Sequence, residues 1–257
     1  KKSESVRSEW KEKIAEEVEG VPVPKGFTYK EGTKDTGLVI HDEKGNEFVW
    51  VPATVSTYIK DTSFPSYNNI KPTGDDTLPN GITNETTDVK KYGGFYIGRY
   101  EAGVPENQSS IDGESSSTSD VKGVPVSKKD ATVWSNISYP NAKANAENMI
   151  SNEYVQTGLI TGTAWDTVCH WIKSDGELKD SRTYGNYSNS LAPANVLGYG
   201  TKQVAGFSEN WKIKNIYDLA GNVWEWTSEV CSSYSFSRGG SCRGDGGDVP
   251  VSYRLLP

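Results

Sequence analysis

At the amino terminus Val6, Trp10, Ile14 and Val18 recur every fourth residue among charged neighbours, the spacing of one narrow apolar stripe on a helix. The pattern predicts an amphipathic helix over residues 1–20, stopped by Gly20, Pro22 and Pro24. Such a stripe needs a partner, either the domain that follows or other copies of the chain in a homo-oligomer or larger assembly. From Val21 onward, residues 21–257 read as one domain of a different texture.

Short strand-like runs bounded by turn residues replace the helical period. Residues 37–40 (GLVI), a polar turn at 42–45 (DEKG) and residues 47–51 (EFVWV) predict a β-hairpin, and residues 94–100 (GFYIGRY) a further strand. Residues 60–91 and 103–123 are rich in Ser, Thr, Asn, Asp, Gly and Pro and predict exposed loops. Helical spacing returns twice. Residues 138–151 place Ala142, Ala146 and Met149 or Ile150 on one side, and residues 161–173 do the same with Trp165, Val168, Cys169 and Ile172. Thr161 or Thr163 suits the N-cap of the second helix, with Asp166 in its first turn. Beyond Asn186 the helical period disappears, and from Trp211 the chain reads as short strands and turns dense in Trp, Tyr and Gly.

Composition narrows the class. With 34% hydrophobic and 24% charged residues, no run approaches the ~20 apolar residues of a spanning helix, so membrane insertion is not expected. The lysine-rich start has no apolar stretch behind it to act as a secretion signal. A net charge of −7, from 34 acidic and 27 basic residues without a basic block, argues against nucleic acid as a partner. Cys169, Cys231 and Cys242 form no CxxC pair and accompany only two histidines, which disfavours zinc. One Cys231–Cys242 disulfide or three separate thiols are both compatible with the spacing.

Residues 215–227 (NIYDLAGNVWEWT), followed by 238–241 (RGGS), closely resemble the signature of the formylglycine-generating-enzyme, or sulfatase-modifying-factor, family. Residues 95–101 (FYIGRYE), 133–138 (VWSNIS) and 158–171 resemble its earlier blocks in order and spacing. The resemblance spans roughly residues 23–254. It implies an α+β, C-type-lectin-like fold: a small twisted antiparallel sheet, two helices and long loops that form the binding surface. Read physically, Trp224 and Trp226 lie two apart, so an extended segment turns both indoles one way, as expected for core, and Glu225 the other. Gly221, Gly239 and Gly240 suit backbone positions that need unusual torsion angles.

Enzymes of this family use two cysteines shortly after the Gly-Gly-Ser. Gly244 and Val249 stand at those places here, and neither supplies a thiolate or a soft copper ligand. Cys242 is the nearest thiol. His41 and His170 have no sequence context that marks a Ser-His-Asp triad, and no phosphate-binding glycine loop precedes a helix. No catalytic residue is expected, and no cofactor is required. Structural calcium is the one group that the resemblance implies, held by the side chains of Asp218 and Glu225 and the carbonyls of Gly221 and Val223, a set of hard oxygens suited to that ion.

Outside Arg-Gly-Gly-Ser, most residues of the tail are obtainable from an AAC or AAT codon by replacing its adenines. The tail thus resembles the variable region of phage and bacterial proteins diversified by retroelements. Its candidate contact residues are Cys231, Ser232, Ser233, Tyr234, Ser235, Ser237, Cys242, Gly244, Asp245, Gly247 and Asp248. Tyr234 leads them, since an exposed Tyr offers area and a hydroxyl at low entropy cost. The expected partner is a protein or glycan ligand on a cell surface, bound by a domain on a virion or the outside of a cell. Formylglycine-type oxidation, or an accessory role in it, is the alternative, and a structural decoration protein a third. Residues 243–245 also spell the integrin-binding triplet Arg-Gly-Asp, which arises readily by chance. Relatives usually close with a Gly-Phe-Arg strand, whereas residues 252–257 here read SYRLLP.

Overall fold

The computed structural model describes residues 12–76, 85–106, 123–174, 176–191 and 199–256. The architecture is mixed α/β, with a few helices and several small antiparallel sheets. The predicted hairpin is its centre. Strands β3 (Phe27–Glu31), β4 (Val39–Asp42), β5 (Glu47–Pro52) and β7 (Gly94–Gly98) form one sheet in the order β3-β4-β5-β7. The turn between β4 and β5 is built by Asp42, whose carboxylate accepts hydrogen bonds from the backbone N–H groups of Lys44 and Asn46 at 2.9 and 2.8 Å. Register follows, with Val39 opposite Val49 and Ile40 opposite Phe48.

Both faces of this sheet are covered, which explains the nearly continuous apolar run of β5. Val39, Val49 and Val51 face Trp165, Val168, Cys169 and Ile172 of helix α3 (Gly162–Ile172). Ile40, Phe48 and Trp50 point the opposite way and pack with Val21, Val23 and Leu38. Thr161 caps α3, its hydroxyl accepting from Ala164 N at 3.1 Å. Helix α2 (Tyr139–Glu147) lies within the other predicted helical segment.

The amino-terminal expectation is corrected over residues 14–18 only, since residues 12 and 13 are helical. Residues 14–18 are strand β1 (Ile14–Val18), paired with β2 (Val21–Pro24), rather than helix; Val6 and Trp10 lie outside the described residues. Val18 stands opposite Val21 across Glu19 and Gly20, whose φ angles of 51° and 78° make the left-handed two-residue turn that matches strand twist. That turn outweighs a stripe only one residue wide. A second correction concerns residues 60–91, which carry more structure than loop. Strand β6 (Gly74–Asp75) and helix α1 (Glu85–Tyr92) lie there. Helix α1 buries only Val89, so it left no apolar stripe to read.

The remaining strands are β8 (Lys212–Ile213), β9 (Ile216–Tyr217), β10 (Glu225–Cys231) and β11 (Tyr234–Arg238), with β10 between β11 and β6. Residues near the carboxyl end make isolated bridges rather than a regular strand, Arg254 to Ser66 and Leu255 to Ser237.

Four buried charges hold these pieces together. Arg238 of β11 donates to Asp166 Oδ1 at 2.8 Å and to Glu229 Oε2 at 3.1 Å. Arg254 donates to Asp166 Oδ2 at 2.5 Å and to Glu229 Oε2 at 2.9 Å. All four side chains are within 1% of complete burial. Burial opposes the charge on Glu229, but Arg238 and Arg254 outweigh it and hold its pKa below the ordinary carboxylate value. Gly162 makes room for this arrangement, because a Cβ there would come within 2.3 Å of Glu229 Oε1.

Arg254→Met leaves Asp166 and Glu229 short of one cation in a dry site, so we expect a loss of about 3–5 kcal/mol in urea unfolding. Thr161→Ala removes the cap together with the hydroxyl's hydrogen bonds to Glu85 Oε2 at 2.8 Å and the Tyr58 hydroxyl at 3.3 Å, and should cost about 1–2 kcal/mol in the same measurement.

Candidate functional site

A cleft of about 1030 Å³ opens beside the central sheet. Trp50 and Tyr96 line it from β5 and β7, Ala142 and Asn145 from α2, and Trp224 and Trp226 from the start of β10. The two indoles are half-buried rather than core, a correction to the expectation from their spacing. Trp226 donates its Nε1–H to Ile137 O at 2.9 Å and meets Tyr139 edge-on at 5.6 Å, so it joins α2 to β10. Trp224 lies 6.2 Å from Tyr253. Among the described residues the buried tryptophans are Trp50, Trp134, Trp165 and Trp211 instead.

Behind the indoles lie three carboxylates. Glu101 accepts from Asn222 Nδ2 at 2.5 Å and from Val223 N at 3.1 Å, which clamps the chain after β7 to the turn before β10. Asp218 Oδ2 accepts from Gly206 N at 2.7 Å, whereas its buried Oδ1 meets no hydrogen-bond donor. Burial raises all three. Asp218 is pushed up to about 7, and Glu225 to about 8 with the charge of Asp218 adding to burial. Glu101 is raised well above its ordinary value by burial, then by the charges of Asp218 and Glu225. Among the described residues, no group of three or more His, Cys, Asp or Glu side chains is arranged as a metal cluster. The set implied for calcium is different in kind, two carboxylates and two carbonyls. It fits one observation, since an orphaned buried oxygen on Asp218 is what a cation would satisfy. Gly221 adopts φ 80° there, and a Cβ on it would lie 2.1 Å from Asn186 O.

The candidate contact residues fall into two groups. Strands β10 and β11 form a hairpin with Cys231 opposite Tyr234 and Val230 opposite Ser235, joined through Ser232 and Ser233. Ser232, at φ 55°, donates its N–H to Thr73 Oγ1 at 3.3 Å. Tyr234 is 63% exposed, more than any other exposed large hydrophobic residue described. Ser237 is a correction, being 4% exposed inside the ladder, opposite Trp226 and bonded to Leu255 O.

The second group lies in a loop held by residues 181–189. Gly244 O accepts from Ser188 N and Oγ at 3.0 and 2.8 Å, and Gly246 N donates to Asn189 Oδ1 at 3.0 Å. Asp245 spends its Oδ1 on the N–H groups of Gly247 and Asp248, so the Arg-Gly-Asp triplet has its carboxylate engaged in its own turn. Gly247 and Asp248 are exposed, and Gly244 is half-buried. Cys242 is 5% exposed, yet it lines the cleft, and burial raises its thiol pKa. No disulfide joins Cys231 to Cys242, as all three cysteines are free. His170 does bond Asp61, at 2.9 Å, but Asp61 rather than the histidine receives Ser63 Oγ, at 2.6 Å. That is the wrong order for a histidine to take a serine proton.

Carboxylates raised in the folded state bind protons that the unfolded chain has released. Stability contributed by Glu101, Asp218 and Glu225 is therefore present below about pH 4 and lost as pH rises toward 7–8. We expect the metal-free protein to melt at a lower temperature at pH 8 than at pH 5.5, and Glu225→Gln to flatten that slope in thermal scans.

The comparisons leave this geometry without a relative: no protein-family model, curated protein or solved structure matches the chain.

Proposed function

We propose that this chain is a non-catalytic ligand- or receptor-binding protein on a C-type-lectin-like scaffold of the formylglycine-generating-enzyme type. It is displayed on a phage particle or bacterial surface, with a contact region diversified by a retroelement. The observation that carries this is the β10–β11 hairpin. Its tip presents Tyr234 and two serines to solvent, while Arg238 at its base is locked to Glu229 and Asp166. A rigid base beneath an exposed aromatic residue keeps the ordering cost of recognition low. Further support comes from Gly244 and Val249 at the two thiol positions of the oxidases, and from a Cys242 thiol whose pKa burial raises.

Tyr234→Ala should lower binding to cells or to an array of surface glycans and host proteins about ten-fold or more, without moving the melting temperature. A wild-type protein that captures no cell-surface ligand would refute the proposal.

Calcium belongs to the same reading as a structural ion. Asp218 and Glu225 would hold it with their carboxylates, Gly221 and Val223 with their carbonyls, and the ion's charge would offset the burial that raises the two acids. Adding calcium at pH 8 should then raise the melting temperature of the wild type and leave Asp218→Asn unmoved.

A further inference from the structure

The central sheet ends at β7. Strand β5 pairs with it on one side, from Phe48 opposite Gly98 to Pro52 opposite Gly94, and among the described residues no strand pairs with it on the other. The ladder decides which main-chain groups point outward. At the two ends of β7, Arg99 N donates to Glu47 O and Ala53 N to Gly93 O, both at 3.0 Å. Antiparallel pairing alternates, so Phe95 and Ile97 bond to β5, while Tyr96 and Gly98 turn their N–H and C=O groups away from it. Among the described residues, no hydrogen bond takes up those outward groups.

Free edges of this kind are usually blunted by a lysine, a proline or a bulge. Strand β7 has none of these: it reads Gly-Phe-Tyr-Ile-Gly, and its pairs with β5 run without a shift. It is recessed instead, since all its residues line the cleft and Phe95, Tyr96, Ile97 and Gly98 are half-buried. Apolar side chains wall the cleft on both faces of the sheet. Tyr96 meets Trp50 at 5.0 Å in the cluster that Met149 and Val155 join, and Phe95 and Ile97 belong with Ile160 to the cluster on the other face. Met149, Val155 and Ile160 line the cleft as well.

We propose that the outer edge of β7 takes up an extended peptide with apolar side chains as an added strand. Outward N–H and C=O groups at strand spacing are complemented by another extended backbone. Side chains of an added strand alternate between the two faces, where Tyr96, Met149 and Val155 on one and Ile97 and Ile160 on the other favour apolar ones. The recess selects the occupant. A single segment can enter a cleft of about 1030 Å³, whereas the sheet edge of a second copy would bring its packed layers with it. This edge is no part of the β10–β11 hairpin tip, so the proposal goes beyond the ligand-binding reading and each can fail without the other.

The test titrates the full chain calorimetrically with the peptide acetyl-KVTVTVK-amide and two versions of it, one N-methylated at the valines and one at the threonines, each blocking the donors along one edge only. Expected is saturable binding of the parent, weakened about ten-fold or more in one methylated version and kept within about two-fold in the other. Amide exchange places the site: saturation should slow the Tyr96 and Gly98 amides about ten-fold or more, while those of Ile97 and Arg99, already bonded to β5, change less. No binding of the parent peptide overturns the proposal, as does binding that leaves exchange at Tyr96 and Gly98 unslowed. Equal loss or equal retention in the two methylated versions also overturns it, in favour of side-chain contact without strand addition. A chain that is dimeric by light scattering, with those two amides protected before peptide is added, overturns it in favour of a second copy.

Discussion

The buried square of Asp166, Glu229, Arg238 and Arg254 is the constraint on which the other parts depend. Moving four charges out of water is costly, and their mutual attraction repays it only when every geometry is met at once. That demand fixes α3, β10, β11 and the segment near the carboxyl end relative to one another. It reaches further through Asp61, whose N–H donates to Asp166 and whose carbonyl accepts from Arg254, and through Lys60, 3.3 Å from Glu229. Short strands with little apolar surface of their own are thereby given definite positions.

The same chain treats a second set of buried acids in the opposite way. Glu229 meets two guanidinium groups and ionises readily; Glu101, Asp218 and Glu225 resist ionising because of burial, with the charges of neighbouring acids adding to it at Glu101 and Glu225. The first set rigidifies a scaffold, and two of the second, Glu101 and Glu225, line the cleft together with the half-buried indoles. Hydrogen bonds from Asn222 and Val223 to Glu101 counter the rise in its pKa without cancelling it.

Much of the central sheet was legible because its signals are local. Short apolar runs, an Asp-x-x-Gly turn and a threonine cap each act within a few residues, and β4, β5, β7 and α3 appear where they point. Elements that depend on distant partners were not legible. Asp166 reads as a helix-dipole residue until Arg238 and Arg254 are seen on it. Trp224 and Trp226 read as core until the buried indoles prove to be Trp50, Trp134, Trp165 and Trp211. At the site, sequence singled out the hairpin tip and the implied calcium positions, but gave no sign of Glu101 as their neighbour or of Lys202 acting on Cys242. Those juxtapositions join residues 40 or more positions apart in the chain.

The β10–β11 ladder contains an irregularity between Trp226 and Val230, where Thr227 turns its hydroxyl onto Phe236 O at 2.9 Å. Below it, Trp226 pairs with Ser237; above it, Val230 pairs with Ser235. The two halves of the hairpin are thus held in separate registers, the lower by buried charges and the upper by its two-residue turn and Thr73. A change of side chain at the tip has no path by which to slip the base, since register cannot pass through the break. Residues 231–235 can therefore be rewritten with little penalty to folding, provided position 232 keeps a residue at ease with positive φ. The tip of the hairpin is thus mechanically insulated from its base.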